Sequence, residues 1–243
     1  MNKKKFTVVA LVLALFAVVV SGTLAYFTDE TNDVKNQFET AELHIDLWEN
    51  DAEYNSKTAE WEKAETELHA GSVSEGVTEE AVGVEYTDIL PGMVLPKNPT
   101  VTVKADSVEC WVLVKVTTEK KTAKALYDAL KAHEVPVTGQ NDDSAYAAAA
   151  ALTDFDAGKW ELLKWKVGEE NVDFVIGYKE KVAKSEDDQD LVVFTTINVP
   201  AEWENEEMAA LNEATLTFRA YAIQAYKVDD LDAANTALNP LGE

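Results

Sequence analysis

Disulfides, an arginine-rich surface and a histidine cluster are all missing from this chain. Of its 243 residues one is cysteine and three are histidine, and arginine occurs once, as Arg219. Cys110 has no partner for an internal disulfide, so an exported protein of this kind has to rely on its apolar core. His44, His69 and His133 are not spaced by four residues, which excludes the helical zinc pair H-E-x-x-H; His133-Glu134 begins that motif, but position 137 is Val. Neither G-x-S-x-G nor a phosphate-binding glycine loop occurs. Basic residues number 21 against 45 acidic ones. Such a balance repels nucleic acid and anionic lipid and favours solubility.

What is present starts with a leader. Lys3, Lys4 and Lys5 precede an unbroken apolar run from Phe6 to Val20, and the small residues Ser21, Gly22, Thr23 and Ala25 follow. Basic head, hydrophobic stretch and small-residue exit are the parts of a secretory signal peptide. Thr23 and Ala25 are small enough for the −3 and −1 pockets of a signal peptidase, so cleavage is expected after Ala25, with Tyr26 the new N-terminus. The competing reading is an uncleaved anchor, since Phe6 to Leu24 nearly reaches spanning length. The small-residue exit adds nothing to an anchor and favours the cut. Loss of the three leader lysines leaves 18 basic against 45 acidic residues, a net charge of −27 over 218 residues. Secretion to the extracellular matrix or cell surface is the expected destination, with no membrane contact after cleavage. A single domain over 26–243 is expected.

The body of the chain carries strand signals. Leu43, Ile45 and Leu47 alternate with polar residues. In SVECWVLVKVT, Val108, Cys110, Val112, Val114 and Val116 share one face and Trp111 and Leu113 the other, the pattern of a central strand apolar on both sides. Cys110 alternates with valines and reads as a small buried hydrophobe rather than a nucleophile. Further runs are PTVTV (99–103), VDFVIGY (172–178), LVVFTTINV (191–199) and ATLTFRAYAIQAYKV (214–228). Several strands without intervening helices predict an all-β, jelly-roll-like antiparallel sandwich.

Short helices punctuate it. Ala123, Leu126, Tyr127 and Leu130 form an apolar stripe, and SAYAAAAALTDF reads as a second helix, together a helical insertion at about 122–153. PAEWENEEMAALN at 200–212 predicts a third, with Pro200 near its start. The Glu-, Ala- and Ser-rich stretch 49–83 reads as an exposed acidic excursion, part helix and part loop.

Carboxylate clusters at Asn141-Asp142-Asp143, Asp154-Phe155-Asp156, Asp187-Asp188-Gln189-Asp190 and Asp229-Asp230-Leu231-Asp232 offer hard oxygen ligands of the kind calcium takes. None matches an EF-hand loop, and in a chain this acidic such clusters arise from composition. No cofactor and no metal site is expected; calcium is the one ion these clusters could hold. Gln224 falls on the face of Leu216, Phe218 and Ala222, which predicts a buried amide needing partners. Arg219 faces the other way, toward a neighbouring carboxylate. No catalytic residues emerge.

The junction GTLAYFTDETNDVKNQFETAELHIDL resembles the start of the TasA/camelysin family of exported bacterial proteins. The matching residues are Gly22, Thr23, Ala25, Phe27, Asp29, Asn36, Phe38, Leu43, Ile45 and Leu47. LPGMVLPKNPTVTV (90–103), CWVLVKV (110–116), VFTTINVP and AYAIQA resemble later family segments in the same order. The resemblance implies a jelly-roll domain, processing by a dedicated signal peptidase, and a place in biofilm-matrix fibres, alone or with other matrix proteins. In fibre-forming relatives the mature N-terminal segment of one subunit completes the sheet of the next. Carried over, that assembly segment would comprise Tyr26, Phe27, Asp29, Asn36 and Phe38. Camelysin itself is described as a metal-dependent protease, but ligands for such a metal are not evident here. A calcium-dependent adhesin is the third reading.

Overall fold

The computed structural model describes residues 42–70, 72–73, 77–78, 83–132, 144–211 and 214–242. The chain divides into two compact units, Met1–Thr40 and Ala41–Glu243. The first lies outside the described residues, and with it Thr23, Ala25, Tyr26, Phe27, Asp29, Asn36 and Phe38. His133 and the cluster Asn141-Asp142-Asp143 lie outside them as well. No helix among the described residues is long and apolar enough to cross a membrane.

Alternating apolar residues build two antiparallel sheets. The first has four strands in the order β10 (Gln189–Val192), β6 (Thr100–Val103), β1 (Ile45–Asn55), β2 (Glu60–His69). The second has six: β3 (Ser72–Val73), β4 (Val77–Thr78), β12 (Thr217–Gln224), β7 (Cys110–Glu119), β9 (Asn171–Tyr178) and β8 (Trp160–Val167). A two-stranded sheet pairs β5 (Val94–Pro96) with β11 (Thr196–Asn198). Inward side chains of the two large sheets share one core, in which Ile45, Leu47, Val101 and Val103 meet Val112, Val114, Val116, Phe174, Ile176 and Phe218. The molecule is thus a jelly-roll-like antiparallel β-sandwich with short helical insertions.

β7 lies in the interior of its sheet, between β12 and β9. Its odd face, Trp111 and Leu113, is buried because a C-terminal helix covers it: Leu231 and Ala234 of α4 (Leu231–Leu238) and Leu241 pack there with Val175. The approach is close. A Cβ at Gly177 would come within 2.8 Å of Leu163 Cδ1 and 3.0 Å of Leu231 Cδ2, so glycine lets the helix settle on the sheet. The four-residue turn Leu90–Met93 likewise needs Gly92, whose φ is +85°.

The helical insertion is present as α1 (Lys120–Ala132) and α2 (Ser144–Leu152). The third helix is shorter than expected: α3 covers Asn205–Met208 and continues as a 3-10 turn, Ala209–Leu211. It starts at a Glu204 cap rather than at Pro200, through a capping box closed by Glu207.

Two expectations are corrected. Much of the stretch 49–83 is a long hairpin of β1 and β2, not helix and loop. The half-buried residues of β2 are Trp61, Ala64 and Leu68, spaced three and four apart as in a helix. Pairing explains this: the register slips between Asn50 and Ala52, whose partners Glu67 and Lys63 lie four residues apart. Gln224 is exposed, because β12 ends there, so its amide needs no buried partner.

Candidate functional site

The carboxylate clusters come first, because they carried the metal expectation. Asp154 holds a loop together: Thr195 N donates at 2.6 Å and Thr196 N at 2.9 Å to Oδ1, and the Thr195 hydroxyl donates to Oδ2. Asp156 Oδ1 accepts from Gly158 N, and Asp230 Oδ1 caps α4 by accepting from Ala233 N. Asp188 accepts from Ala105 N at 2.7 Å and from Lys104 Nζ at 3.2 Å. Asp190 accepts from Thr102 Oγ1, itself an acceptor for the Trp48 indole. These aspartates fasten turns and strands to one another. Among the described residues no three His, Cys, Asp or Glu side chains gather where a metal ion could sit. His69 contacts Asp46 and Glu67, and His44 contacts Glu42, all near the surface.

Burial works to raise the Asp154 pKa, but the hydrogen bonds from Thr195 and Thr196 outweigh it and hold the carboxyl below its usual range. Its folded pKa is therefore below the unfolded one, so its stabilisation is full above about pH 4 and is lost as pH falls through the lower folded value. Asp154→Ala should cost about 1 kcal/mol at pH 7, a figure discounted for solvent screening. Melts repeated toward pH 2 should show the gap between parent and variant closing.

Cys110 is fully buried on the inner face of β7, and burial, with Glu109 nearby, pushes its thiol up to about 12. It is a packing residue with almost no thiolate at neutral pH.

Sequence reasoning missed a buried charged centre. Glu49 of β1 and Lys97, just after β5, are 1% and 6% exposed, and their side chains are paired. Lys97 also lies 5.3 Å from the Phe218 ring centroid. On the neighbouring face Asn50 and Asn98 bond reciprocally, Asn50 N to Asn98 Oδ1 at 2.9 Å and Asn98 Nδ2 to Asn50 Oδ1 at 2.8 Å. Burial first, then Glu49 and Asp51, raises the Tyr86 phenol well above its usual range. This centre ties β1 to the segment between β5 and β6. Glu49 belongs to the Glu-rich stretch, and only its place next to Leu47 in a β alternation signals burial.

Two cavities accompany these features. An apolar cleft of about 20 Å³ lies in the sandwich between Val116, Tyr146, Phe155, Phe174, Phe194 and Phe218. An open groove of about 500 Å³ runs between Tyr86–Ile89 and Asn205–Leu211. Among the described residues that line it, Asp88 and Tyr86 are the ionisable ones.

The sheet edges differ sharply. β2 is lined with Glu60, Glu62, Glu65 and Glu67, and β10, four residues long, contains Asp190 and follows Asp187 and Asp188. β4 meets β12 at one residue pair, Tyr221 with Val77, yet Phe218, Ala220, Tyr221 and Ala222 of β12 are all buried. β8 is different. It pairs with β9 on one side, and among the described residues no strand lies on the other. Trp165 and Val167, opposite the buried Phe174 and Val172, belong to the inner face but remain 41% and 46% exposed. The four-stranded sheet does not cover them.

The chain matches no protein-family model, no curated protein and no solved structure. Its likeness to the TasA/camelysin family rests on the residues quoted above.

Proposed function

We propose that this chain is a secreted structural subunit of extracellular matrix fibres, built by donation of the N-terminal segment of one copy to the sheet of the next. The observation that carries the reading is a sandwich whose edge strand β8 is unpaired on one side among the described residues and carries exposed apolar side chains. Such an edge is a template for strand addition, in which main-chain hydrogen bonds supply affinity and alternate side chains supply selectivity. The segment that would be donated begins with Tyr26 and Phe27 and continues TDETND, two aromatic rings on a strand too polar to make its own core. Removal of the leader after Ala25 frees that end only after export, which keeps donor and edge apart inside the cell. The partners are other copies of the chain, the signal peptidase that releases it and other matrix proteins. The role is structural, and no cofactor enters assembly.

The extracellular chain should begin Tyr-Phe-Thr-Asp by N-terminal sequencing. Deleting Tyr26 to Asp33 should leave a monomer that melts as cooperatively as the parent and forms no fibres by electron microscopy. Fibres from the deleted chain would show that assembly uses another surface.

A further inference from the structure

The geometry points to β8 as the edge that receives the N-terminal segment of a second copy, an inference that rests on the strand-donation reading. Three observations select it. The first is vacancy: among the described residues β8 offers eight residues with no partner on one side, β10 only four, and β12 has β4 against its middle; the ten residues of β2 are as open as those of β8, but that edge is acidic. The second is apolar cover. Trp165 and Val167 point into the sandwich beside Phe174 and Val172 but extend beyond the opposing sheet, so an added strand would bury them. No equivalent uncovered pair exists on β12, whose inward residues are already buried.

The third observation is charge. In a chain with a large excess of carboxylates, β8 carries Lys164 and Lys166 on the face opposite Trp165. Edge lysines ordinarily discourage pairing, and two β8 strands would indeed repel each other. An acidic strand is attracted instead. Along YFTDETND the period-2 alternation sets Tyr26, Thr28, Glu30 and Asn32 on one face and Phe27, Asp29, Thr31 and Asp33 on the other. A strand laid with Tyr26 toward Trp165 and Val167 therefore turns Asp29 and Asp33 toward Lys164 and Lys166. The acidic β2 and β10 edges would repel the same segment. The lysines thus make β8 selective: closed to copies of itself and to neutral strands of other chains, open to the donor.

The test uses the full processed chain and follows polymerisation by light scattering and electron microscopy. Lys164→Glu with Lys166→Glu, both at exposed positions, should keep melting cooperative, with a midpoint lowered slightly by loss of the Lys166 Nζ bond to Leu241 O, and should raise the concentration needed for fibres roughly tenfold. Adding Asp29→Lys with Asp33→Lys to that chain should restore polymerisation. Loss without rescue would overturn the pairing of these aspartates with these lysines. A lysine variant that polymerises like the parent would overturn β8 as the acceptor while leaving strand donation standing, at β12 or elsewhere. If the parent chain forms no fibres at all, the strand-donation reading and this inference fall together.

Discussion

Val112→Asp is expected to abolish the cooperative melting transition. Val112 is fully buried in the middle of the core, on a strand of the sheet interior, paired with Ala222 of β12. Cys110 and Val114 share its face of β7 and Ala222 lies across from it, none of which can accept or balance a charge. A carboxylate placed there has to remain ionised in an apolar site or take up a proton, and either course costs several kcal/mol, on the order of the whole stability of a domain. No disulfide holds the chain if that core fails, because Cys110 is its only cysteine. Circular dichroism on heating should show a broad, non-cooperative change; a melting temperature near the parent's would mean that β7 is not the central strand of the core.

Lys97→Met should be the next most damaging single change. It leaves Glu49 buried beneath the sheet without its counter-ion, with Oε1 already lacking a hydrogen-bond partner among the described residues. Breaking one half of a buried ion pair costs about 3–5 kcal/mol, a fall of roughly 10 °C in melting temperature for a domain of this size. Replacing both groups removes the uncompensated charge, so Glu49→Leu with Lys97→Met should recover most of that loss, with a coupling energy of the same size in a double-mutant cycle. If the two single changes simply add, the pair is not coupled, and Lys97 is held by its ammonium over the Phe218 ring instead.

The parts of the fold that could be read in advance are those in which neighbours in sequence carry the whole signal. β7 is apolar at every position from Cys110 to Val114, a pattern that only burial on both faces explains, and it lies in the sheet interior with a covered outer face. The stripes of α1 and the alanines of α2 are likewise local. The signals failed where pairing altered the period. The bulged register of β1 and β2 gave a strand the spacing of a helix, and the edge strand β8, with Lys164, Trp165 and Lys166 in succession, shows little alternation of its own. α4 was hidden by its acidic start, since Asp229, Asp230 and Asp232 look like ion ligands until Asp230 is found capping a helix.

By itself, then, the sequence determined the class of fold: an acidic chain with a single cysteine and an apolar N-terminal run, whose period-2 runs demand a sandwich. Composition and local periodicity suffice for that, because burial on one or both faces of a strand dictates residue type at every second position or at all of them. Which strands end as edges, which apolar residues the opposite sheet leaves bare, and which carboxylate out of 45 enters the core beside a lysine were decided only by the tertiary structure. Those outcomes depend on how residues distant in the chain meet: Glu49 and Lys97 are 48 positions apart, and Trp165 stays 41% exposed on β8, the strand that ends the six-stranded sheet among the described residues.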